Sequence, residues 1–275
     1  MKLPTHIYIG PDKSGSTWLY EFARASEDCF VPDCKDIYYF DRYYHRNIAW
    51  YSSHFEKNVN EKVSFDISHD YLFSAIAAER IYKDIQDVNL LVFLRDPVER
   101  SISQYKYMKK MGVVNSNFSD AIRKFPRIVS NSKYYSHLNH YKKFLDENRL
   151  AVFWFDDLRE NPVEFCSLLS EYLEIPYPSG FDATQKIRQA TESRFPGVTK
   201  FLKKVALLMR DMGFENQLGW LKSNRLIESL LFTNATPGQI EIDYSEREKI
   251  FNEYFAEEVK ALESAFQKDL SHWKY

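Results

Sequence analysis

A lysine and three hydroxyl side chains stand close together near the start of the chain, in Gly-Pro-Asp-Lys-Ser-Gly-Ser-Thr-Trp at 10–18. The apolar residues 7–9 before them predict a short strand, and the residues from about Ser16 onward favour a helix. At a helix N-terminus, unpaired backbone N–H groups and the helix dipole attract an anion. Lys13 adds a mobile positive charge. The segment therefore has the chemistry of a phosphate-binding loop.

The loop differs from the ATP-binding form of such a turn. That form reads G-x-x-x-x-G-K-[ST], in which the lysine follows a glycine and precedes the Mg²⁺-binding hydroxyl. Here Lys13 comes before Gly15, and Pro11 and Asp12 stand in front of it. Taken alone, the segment is also compatible with an ordinary strand-turn-helix corner that carries a solvated lysine.

A second group of polar residues follows the apolar stretch 89–94, which predicts a buried strand of a parallel sheet. Arg95 comes directly after this strand, and Asp96 and Pro97 are suited to begin a helix. Ser103 falls on the second turn of that helix. Because open α/β sheets bind ligands at the carboxyl ends of their strands, Arg95 and Ser103 can hold a second phosphate. A local ion pair between Arg95 and Asp96 is the plainer alternative.

Together the two segments resemble the PAPS-dependent sulfotransferase family, whose motifs read P-K-S-G-[ST]-T-W and R-[DN]-P-x-x-R-x-x-S-x-Y. The resemblance implies that the loop grips the 5'-phosphosulfate of 3'-phosphoadenosine 5'-phosphosulfate (PAPS) and that Trp18 stacks on the adenine. It also implies that Arg95 and Ser103 hold the 3'-phosphate, with Arg194 as a late basic residue closing over it. The donor-binding residues that it implies are Lys13, Ser14, Gly15, Ser16, Thr17, Trp18, Arg95, Ser103 and Arg194. Asp12 is a departure, since the cytosolic enzymes have proline at its position.

Sulfuryl transfer requires a cation near the departing oxygen of PAP and a base for the acceptor. Lys13 suits the first role, and no metal is expected because lysine can neutralise the leaving group. For the base, the segment 35–41 and the following Trp50-Tyr51 resemble the K-E-x-x-F-F-[DN] and W-Y signatures of heparan sulfate N- and 3-O-sulfotransferases, whose glutamate is the base. On this interpretation Asp36 is the base, although its side chain is one methylene shorter. A loop carboxylate paired with Lys35 or Arg42 is the alternative.

His69 is the second candidate for the base. It follows a predicted strand, 26 residues before Arg95, close to where cytosolic sulfotransferases place a catalytic histidine. Heparan-type enzymes have E-K-[ST]-P-x-Y there, so that His69 replaces the proline and Ile67 the lysine. A histidine is well suited to proton transfer near neutral pH, but His69 could also help to cap the next helix. Asp36 is ranked ahead of His69, and His69 is expected near the acceptor.

The order of predicted elements indicates an α/β protein. Strands near 3–9, 63–67, 89–94 and 150–155 alternate with helices, which favours a P-loop-type three-layer fold with a central parallel sheet flanked by helices. No linker divides the chain, so that 1–275 is predicted to be a single sulfotransferase domain. It would contain an irregular insertion at about 112–133 and a C-terminal helical region at about 197–273. The Leu-Ser-x-Trp ending at 270–273 resembles that of bacterial members.

Composition narrows the possible partners. The net charge of −2 gives no electrostatic reason to expect binding to nucleic acid or an anionic membrane surface. No apolar run is long enough for an integral membrane segment, and the first strand starts almost at Met1, so a cytoplasmic protein is expected. The histidines show no metal-ligand spacing, and the three cysteines are expected to be free thiols.

The sequence thus predicts transfer of a sulfuryl group from PAPS, with PAP as product, to a hydroxyl or amine. The acceptor is expected to be a carbohydrate, a glycolipid or another small metabolite. Two alternatives stay open, namely a P-loop small-molecule kinase using ATP and Mg²⁺ and a non-catalytic nucleotide-binding protein. The identity of the acceptor and the oligomeric state are not predicted.

Overall fold

The computed structural model describes residues 1–184, 192–193, 232–233 and 241–275. The chain divides into two compact units. The first comprises Met1–Asp96, Lys133–Ile187 and Glu258–Lys268, and the second comprises Pro97–Ser132, Arg188–Glu257 and Asp269–Tyr275. That 1–275 act as one domain stays a prediction.

A five-stranded, all-parallel sheet forms the centre of the first unit. Its strands are β1 (His6–Gly10), β2 (Cys29–Phe30), β3 (Val63–Ile67), β4 (Asn89–Leu94) and β5 (Leu150–Trp154), in the order β2-β3-β1-β4-β5. Every residue of β1 and β3 is buried, as expected for strands covered on both faces. The predicted α/β fold with a central parallel sheet is confirmed. Of the five strands of this sheet, only β2 was not predicted, because two residues are too short to show periodicity.

Helices connect and flank the strands. Within the described residues they are, in chain order, α1 (Ser16–Ala25), α2 (Asn47–Ser53), α3 (Ala75–Asp84), α4 (Pro97–Lys110), α5 (Phe118–Lys124), α6 (Arg127–Ser130), α7 (Tyr134–Leu138), α8 (Lys142–Asp146), α9 (Phe155–Glu160), α10 (Pro162–Tyr172), α11 (Tyr244–Tyr254) and α12 (Ala256–Phe266). A π-helical turn spans Tyr39–Tyr43, and 3₁₀ turns span Tyr44–Arg46, Tyr71–Phe73, Asn139–Tyr141 and Ser271–Trp273. The short strands β6 (Glu192–Ser193) and β7 (Phe232–Thr233) pair antiparallel.

Helix α1 is fixed to the sheet by its apolar face. Leu19, Phe22 and Ala23 are fully buried and share a hydrophobic cluster with side chains of β1, β4 and α10. Burying a side chain the size of leucine or phenylalanine contributes about 1.5–3 kcal/mol. Because the helix is held along this face, its N-terminus stays at the carboxyl end of β1, directly after the loop at 10–15.

The prediction of an irregular insertion at about 112–133 is wrong, because these residues include α5 and α6. The Asn117 side chain accepts a hydrogen bond from the Asp120 backbone N–H at 2.8 Å and caps α5. Phe118, Ala121 and Ile122 are buried on one face of that helix. A single short apolar stripe among polar residues is enough to form this helix, but its periodicity is too brief to stand out in the sequence.

The predicted C-terminal helical region is described only in part. Helices α11 and α12 occupy most of 244–266, while 197–231 and 234–240 lie outside the described residues. Among the helices that the structure describes, none has both the length and the apolar character needed to cross a bilayer.

Candidate active site

Glycine at position 10 allows the carboxyl ends of β1 and β3 to approach closely. Gly10 has φ +132°, and a Cβ atom built on it would lie 2.2 Å from the carbonyl oxygen of His69. Any other residue would therefore clash with backbone and adopt a strained conformation. The contact places the start of the loop against His69, just after the end of β3.

The loop leads into α1 without a capping side chain. Gly15 is the N-cap residue with φ +97°, no side-chain hydrogen bond caps the helix, and its first turn contains no acidic residue. Lys13 also has a left-handed backbone, with φ +67°. Such a helix start directs unpaired N–H groups and a partial positive charge towards the loop.

Ser14 is fully buried, and its hydroxyl has no hydrogen-bond partner among the described residues. Leaving a buried polar group unsatisfied costs about 1–3 kcal/mol. A bound anion beside the N-terminus of α1 would supply the missing acceptor. The loop therefore fits a sulfate or phosphate group.

Two further cations contact this loop. Lys35 Nζ donates to Thr17 Oγ1, in the first turn of α1, at 3.2 Å. Arg95, which follows β4, donates from Nη1 to the carbonyl oxygen of Lys13 at 3.1 Å, and its guanidinium lies 5.0 Å from the Phe155 ring centroid. Sequence reasoning missed Lys35 as part of the loop, because the contact joins residues 18 positions apart.

The two candidate bases, Asp36 and His69, are hydrogen-bonded to each other. His69 Nδ1 lies 2.7 Å from Asp36 Oδ1, and the side chains are 21% and 18% exposed. The Asp36 backbone N–H donates to the Ile67 carbonyl oxygen at 2.9 Å, which holds this residue beside the end of β3. Asp36 is thus the partner of a histidine.

Two more side chains lie at the other nitrogen of His69. The Tyr38 hydroxyl is 3.1 Å from His69 Nε2, and Asp70 Oδ1 is 3.4 Å from the same atom. Arg42 forms an ion pair with Asp70, and its guanidinium lies 3.9 Å from the centroid of the Tyr38 ring. The sequence gives no separate signal for Tyr38 beyond its place two residues after Asp36.

The acidic neighbours of His69 change its proton affinity. Burial by itself would lower the pKa of His69, but the charge and the hydrogen bond of Asp36, together with the charges of Asp12 and Asp70, outweigh burial and raise this pKa. When Asp36 is ionised, Nδ1 carries the proton of that hydrogen bond and Nε2 is the basic atom. The arrangement suits His69 to accept a proton with the support of a carboxylate.

A buried carboxylate supports the turn that carries His69. Asp66 is fully buried in β3 and accepts hydrogen bonds from Tyr51 at 2.9 Å, Tyr71 at 3.0 Å and Ser68 at 2.6 Å. Ser68 Oγ in turn accepts from the Tyr38 backbone N–H at 3.2 Å. Burial raises the pKa of Asp66 to about 6, against the opposing effect of the three hydroxyl donors.

This buried carboxylate should make stability depend on pH. Since the folded-state pKa of Asp66 is raised, its carboxyl group stabilises the folded protein most below pH 3.8. This stabilisation is lost as the pH rises through about 6. We expect the unfolding free energy of the wild type, relative to Asp66→Asn, to fall by about 3 kcal/mol across that range. Urea unfolding at a series of pH values measures this. The exposed Asp87→Asn serves as control, and a difference that does not change with pH would refute the assignment.

The remaining predicted site residues lie in different surroundings. The Trp18 indole is only 7% exposed, stacks on Phe22 at 5.5 Å and donates to the Ala183 carbonyl oxygen at 3.4 Å. Adenine could stack there only after the ring was uncovered, so this role stays a prediction. Ser103 is a partly exposed residue of α4, in the second unit, and its phosphate contact also stays a prediction. Arg194 lies outside the described residues.

Cys29, Cys34 and Cys166 are buried free thiols. Within the described part of the chain, no group of three or more His, Cys, Asp or Glu side chains is arranged to hold a metal ion.

Solved structures share this fold. A sulfotransferase from Alicyclobacillus acidocaldarius superimposes with a TM-score of 0.67 at 16% identity, covering 99% of each chain. Mouse sulfotransferase SULT7A1 complexed with PAP superimposes with a TM-score of 0.51 at 12% identity, covering 96% of this chain and 89% of the other. At these identities the similarity is one of fold.

Sequence comparison gives the family. The membrane-associated sulfotransferase kil1 of Dictyostelium discoideum is 36% identical over 108 residues, which are 38% of this chain and 23% of that protein. Human heparan sulfate glucosamine 3-O-sulfotransferase 5 is 26% identical over 204 residues, 67% of this chain and 58% of that protein. The chain thus spans about a quarter to somewhat over half the length of these relatives. Residues 4–204 match the sulfotransferase domain, and the chain therefore belongs to the sulfotransferase family.

Proposed function

We propose that this sulfotransferase moves a sulfuryl group from PAPS to a hydroxyl or amine of a carbohydrate, glycolipid or other small metabolite. The observation that carries the proposal is the hydrogen-bonded pair of Asp36 and His69, in backbone contact with the anion-binding loop through Gly10. A base and an anion site side by side are what sulfuryl transfer needs. Relatives named for heparan sulfate glucosamine support a glycan acceptor, and the neighbour complexed with PAP supports the donor.

The loop and its cations would hold the donor. When bound, PAPS supplies the sulfuryl group and PAP as leaving group. The backbone N–H groups at 14–17 and the buried Ser14 hydroxyl would bind the 5' end, and Lys13 would stabilise negative charge on the bridging oxygen. Lys35 supports this assignment, because its ammonium donates to Thr17 in the first turn of α1 and adds positive charge beside the loop.

The 3'-phosphate would be bound by residues after β4. We propose Arg95 and Ser103 for this role, with Arg194 closing over them. Arg95 already contacts the loop through the Lys13 carbonyl oxygen, which supports its place beside the donor. We also propose that 1–275 act as one domain, since the family match at 4–204 includes segments of both compact units.

For the base, we propose that His69 accepts the acceptor's proton and that Asp36 positions it. This order reverses the ranking made from sequence. Asp36 Oδ1 is engaged with Nδ1 of His69 at 2.7 Å, so the carboxylate orients the ring and stabilises the imidazolium that forms. The same arrangement explains how a shorter aspartate can act where the heparan-type enzymes have glutamate.

Nucleotide binding tests the donor assignment. PAP and AMP differ only in the 3'-phosphate, and charge-assisted hydrogen bonds to that group should make PAP bind at least about tenfold more tightly than AMP. Isothermal titration calorimetry with PAP, AMP and ATP plus Mg²⁺ measures this difference. Clear binding of ATP without binding of PAP would refute the proposed donor.

A further inference from the structure

The ring of His69 has hydrogen-bonding partners at both nitrogens within the chain itself. Asp36 Oδ1 lies 2.7 Å from Nδ1, and the Tyr38 hydroxyl lies 3.1 Å from Nε2. With Asp36 ionised, the tautomer that satisfies both contacts carries hydrogen on Nδ1 and accepts a hydrogen bond from Tyr38 at Nε2. An acceptor hydroxyl can therefore reach the basic nitrogen directly only if Tyr38 is displaced.

Several contacts hold Tyr38 in place. The residue is 6% exposed, and its backbone N–H donates to Ser68 Oγ at 3.2 Å. The guanidinium of Arg42 lies 3.9 Å from the ring centroid. The backbone of Tyr38 is left-handed, with φ +55°, a conformation that is unfavourable for a non-glycine residue and persists only where surrounding contacts enforce it. Displacing the ring would break these contacts.

We propose that Tyr38 relays the proton of the acceptor hydroxyl to His69, a role that rests on the proposed sulfotransferase function. The acceptor O–H bond breaks and its proton moves to the Tyr38 oxygen, while the proton that Tyr38 carried moves to His69 Nε2. The acceptor oxygen forms its bond to sulfur, and the electron pair of the broken sulfur–oxygen bond goes to the 5'-phosphate of PAP. Tyr38 ends unchanged, and His69 ends as an imidazolium paired with Asp36.

The surroundings of Tyr38 suit this relay. A phenol, with an ordinary pKa of about 10, is a much stronger acid than an alcohol and a weaker one than an imidazolium. In acidity, Tyr38 therefore lies between the hydroxyl that gives up the proton and the His69 ring that receives it. Arg42 over the ring stabilises negative charge that develops on the phenol oxygen during transfer.

Tyr38→Phe removes the relay oxygen and leaves the ring in place. We expect its PAP release from PAPS, with water and methyl glucoside as hydroxyl acceptors, to be about 100-fold slower than that of the wild type. Its PAP affinity in calorimetry should be unchanged. Tyr82→Phe is the matched control, since it removes a hydroxyl bonded to Glu147 on another part of the first unit, and its rate should equal that of the wild type.

A rate for Tyr38→Phe equal to or above that of the wild type, with normal PAP affinity, would overturn the relay and show that acceptors displace Tyr38. Wild-type protein that binds PAP but releases none from PAPS with either acceptor would also count against the relay. Failure of the wild type to bind PAP would instead refute the donor assignment, so the two failures are distinguishable.

A conservative variant covers the case in which Tyr38→Phe does not fold. Tyr38→3-fluorotyrosine keeps the hydroxyl but makes it more acidic. The ionisable groups at this ring include His69 and Arg42, with Asp70 beside both of them, and the substitution alters none of these three. We expect near wild-type rates at neutral pH. At high pH the rate should fall as the phenol loses the proton that it passes to His69, and in the fluorinated variant this fall should occur at lower pH. An unmoved limb would indicate that Tyr38 has only a structural role.

Discussion

Replacing His69 by glutamine is expected to lower the rate of sulfuryl transfer about 100- to 10,000-fold, the range for removing a general base. Glutamine can keep a hydrogen bond to Asp36 but cannot take up a proton. Affinity for PAP should change little, because the donor would be held by the loop and by Arg95. Single-turnover release of PAP from PAPS measures the rate, and calorimetry measures the affinity.

The control for this variant is His140→Gln, which changes an exposed histidine outside the site. A rate for His69→Gln within about threefold of the wild type would show that His69 is not the base, since even weak general-base contributions exceed this. Asp36 would then regain the role that the sequence motif first suggested.

The pH profile separates the roles of Asp36 and His69. His69 accepts a proton only when neutral, so the rate should rise with pH through its pKa, which lies above the ordinary value. Asp36→Asn removes the largest interaction that raises this pKa and should move the rising limb to lower pH. The groups that set this pKa or contact the ring are Asp36, Asp12, Asp70, Tyr38 and Asp41. Loss of activity at every pH in Asp36→Asn, with activity retained in His69→Gln, would make Asp36 the base.

Lys13→Ala is expected to lower kcat about 100- to 1,000-fold, the range for removing a group that stabilises developing charge. Lysine is needed most when negative charge appears on the bridging oxygen, so kcat should fall by a larger factor than PAP affinity. Steady-state kinetics over a range of PAPS concentrations, with calorimetry of PAP, separates the two effects.

The matched control is Lys57→Ala, because Lys57 is an exposed lysine paired only with Asp33 among the described contacts. An unchanged kcat for Lys13→Ala, with weaker binding of PAP, would mean that Lys13 contributes equally to ground state and transition state. Lys35, which contacts Thr17, would then be the stronger candidate for leaving-group stabilisation.

Much of the fold could be predicted because buried parallel strands leave a plain signal. The apolar runs that became β1, β3, β4 and β5 are nearly continuous, and strands alternating with helices allow few other topologies. The sequence of 134–147 predicts one helix, but the segment forms α7, a 3₁₀ turn and α8. Helix breaks of this kind depend on tertiary contacts, such as the hydrogen bond from Tyr141 to the Tyr71 carbonyl oxygen at 2.6 Å.

The sequence by itself determined the family, the candidate anion-binding loop and the two candidate bases, because these depend on residue types at short, fixed spacings. Only the tertiary structure showed that Asp36 and His69 form one hydrogen-bonded unit, that Tyr38 lies at Nε2 and that Lys35 reaches α1. These contacts join residues 18 to 33 positions apart. They are set by how the carboxyl ends of β1 and β3 meet at Gly10, and periodicity along the chain carries no information about that approach.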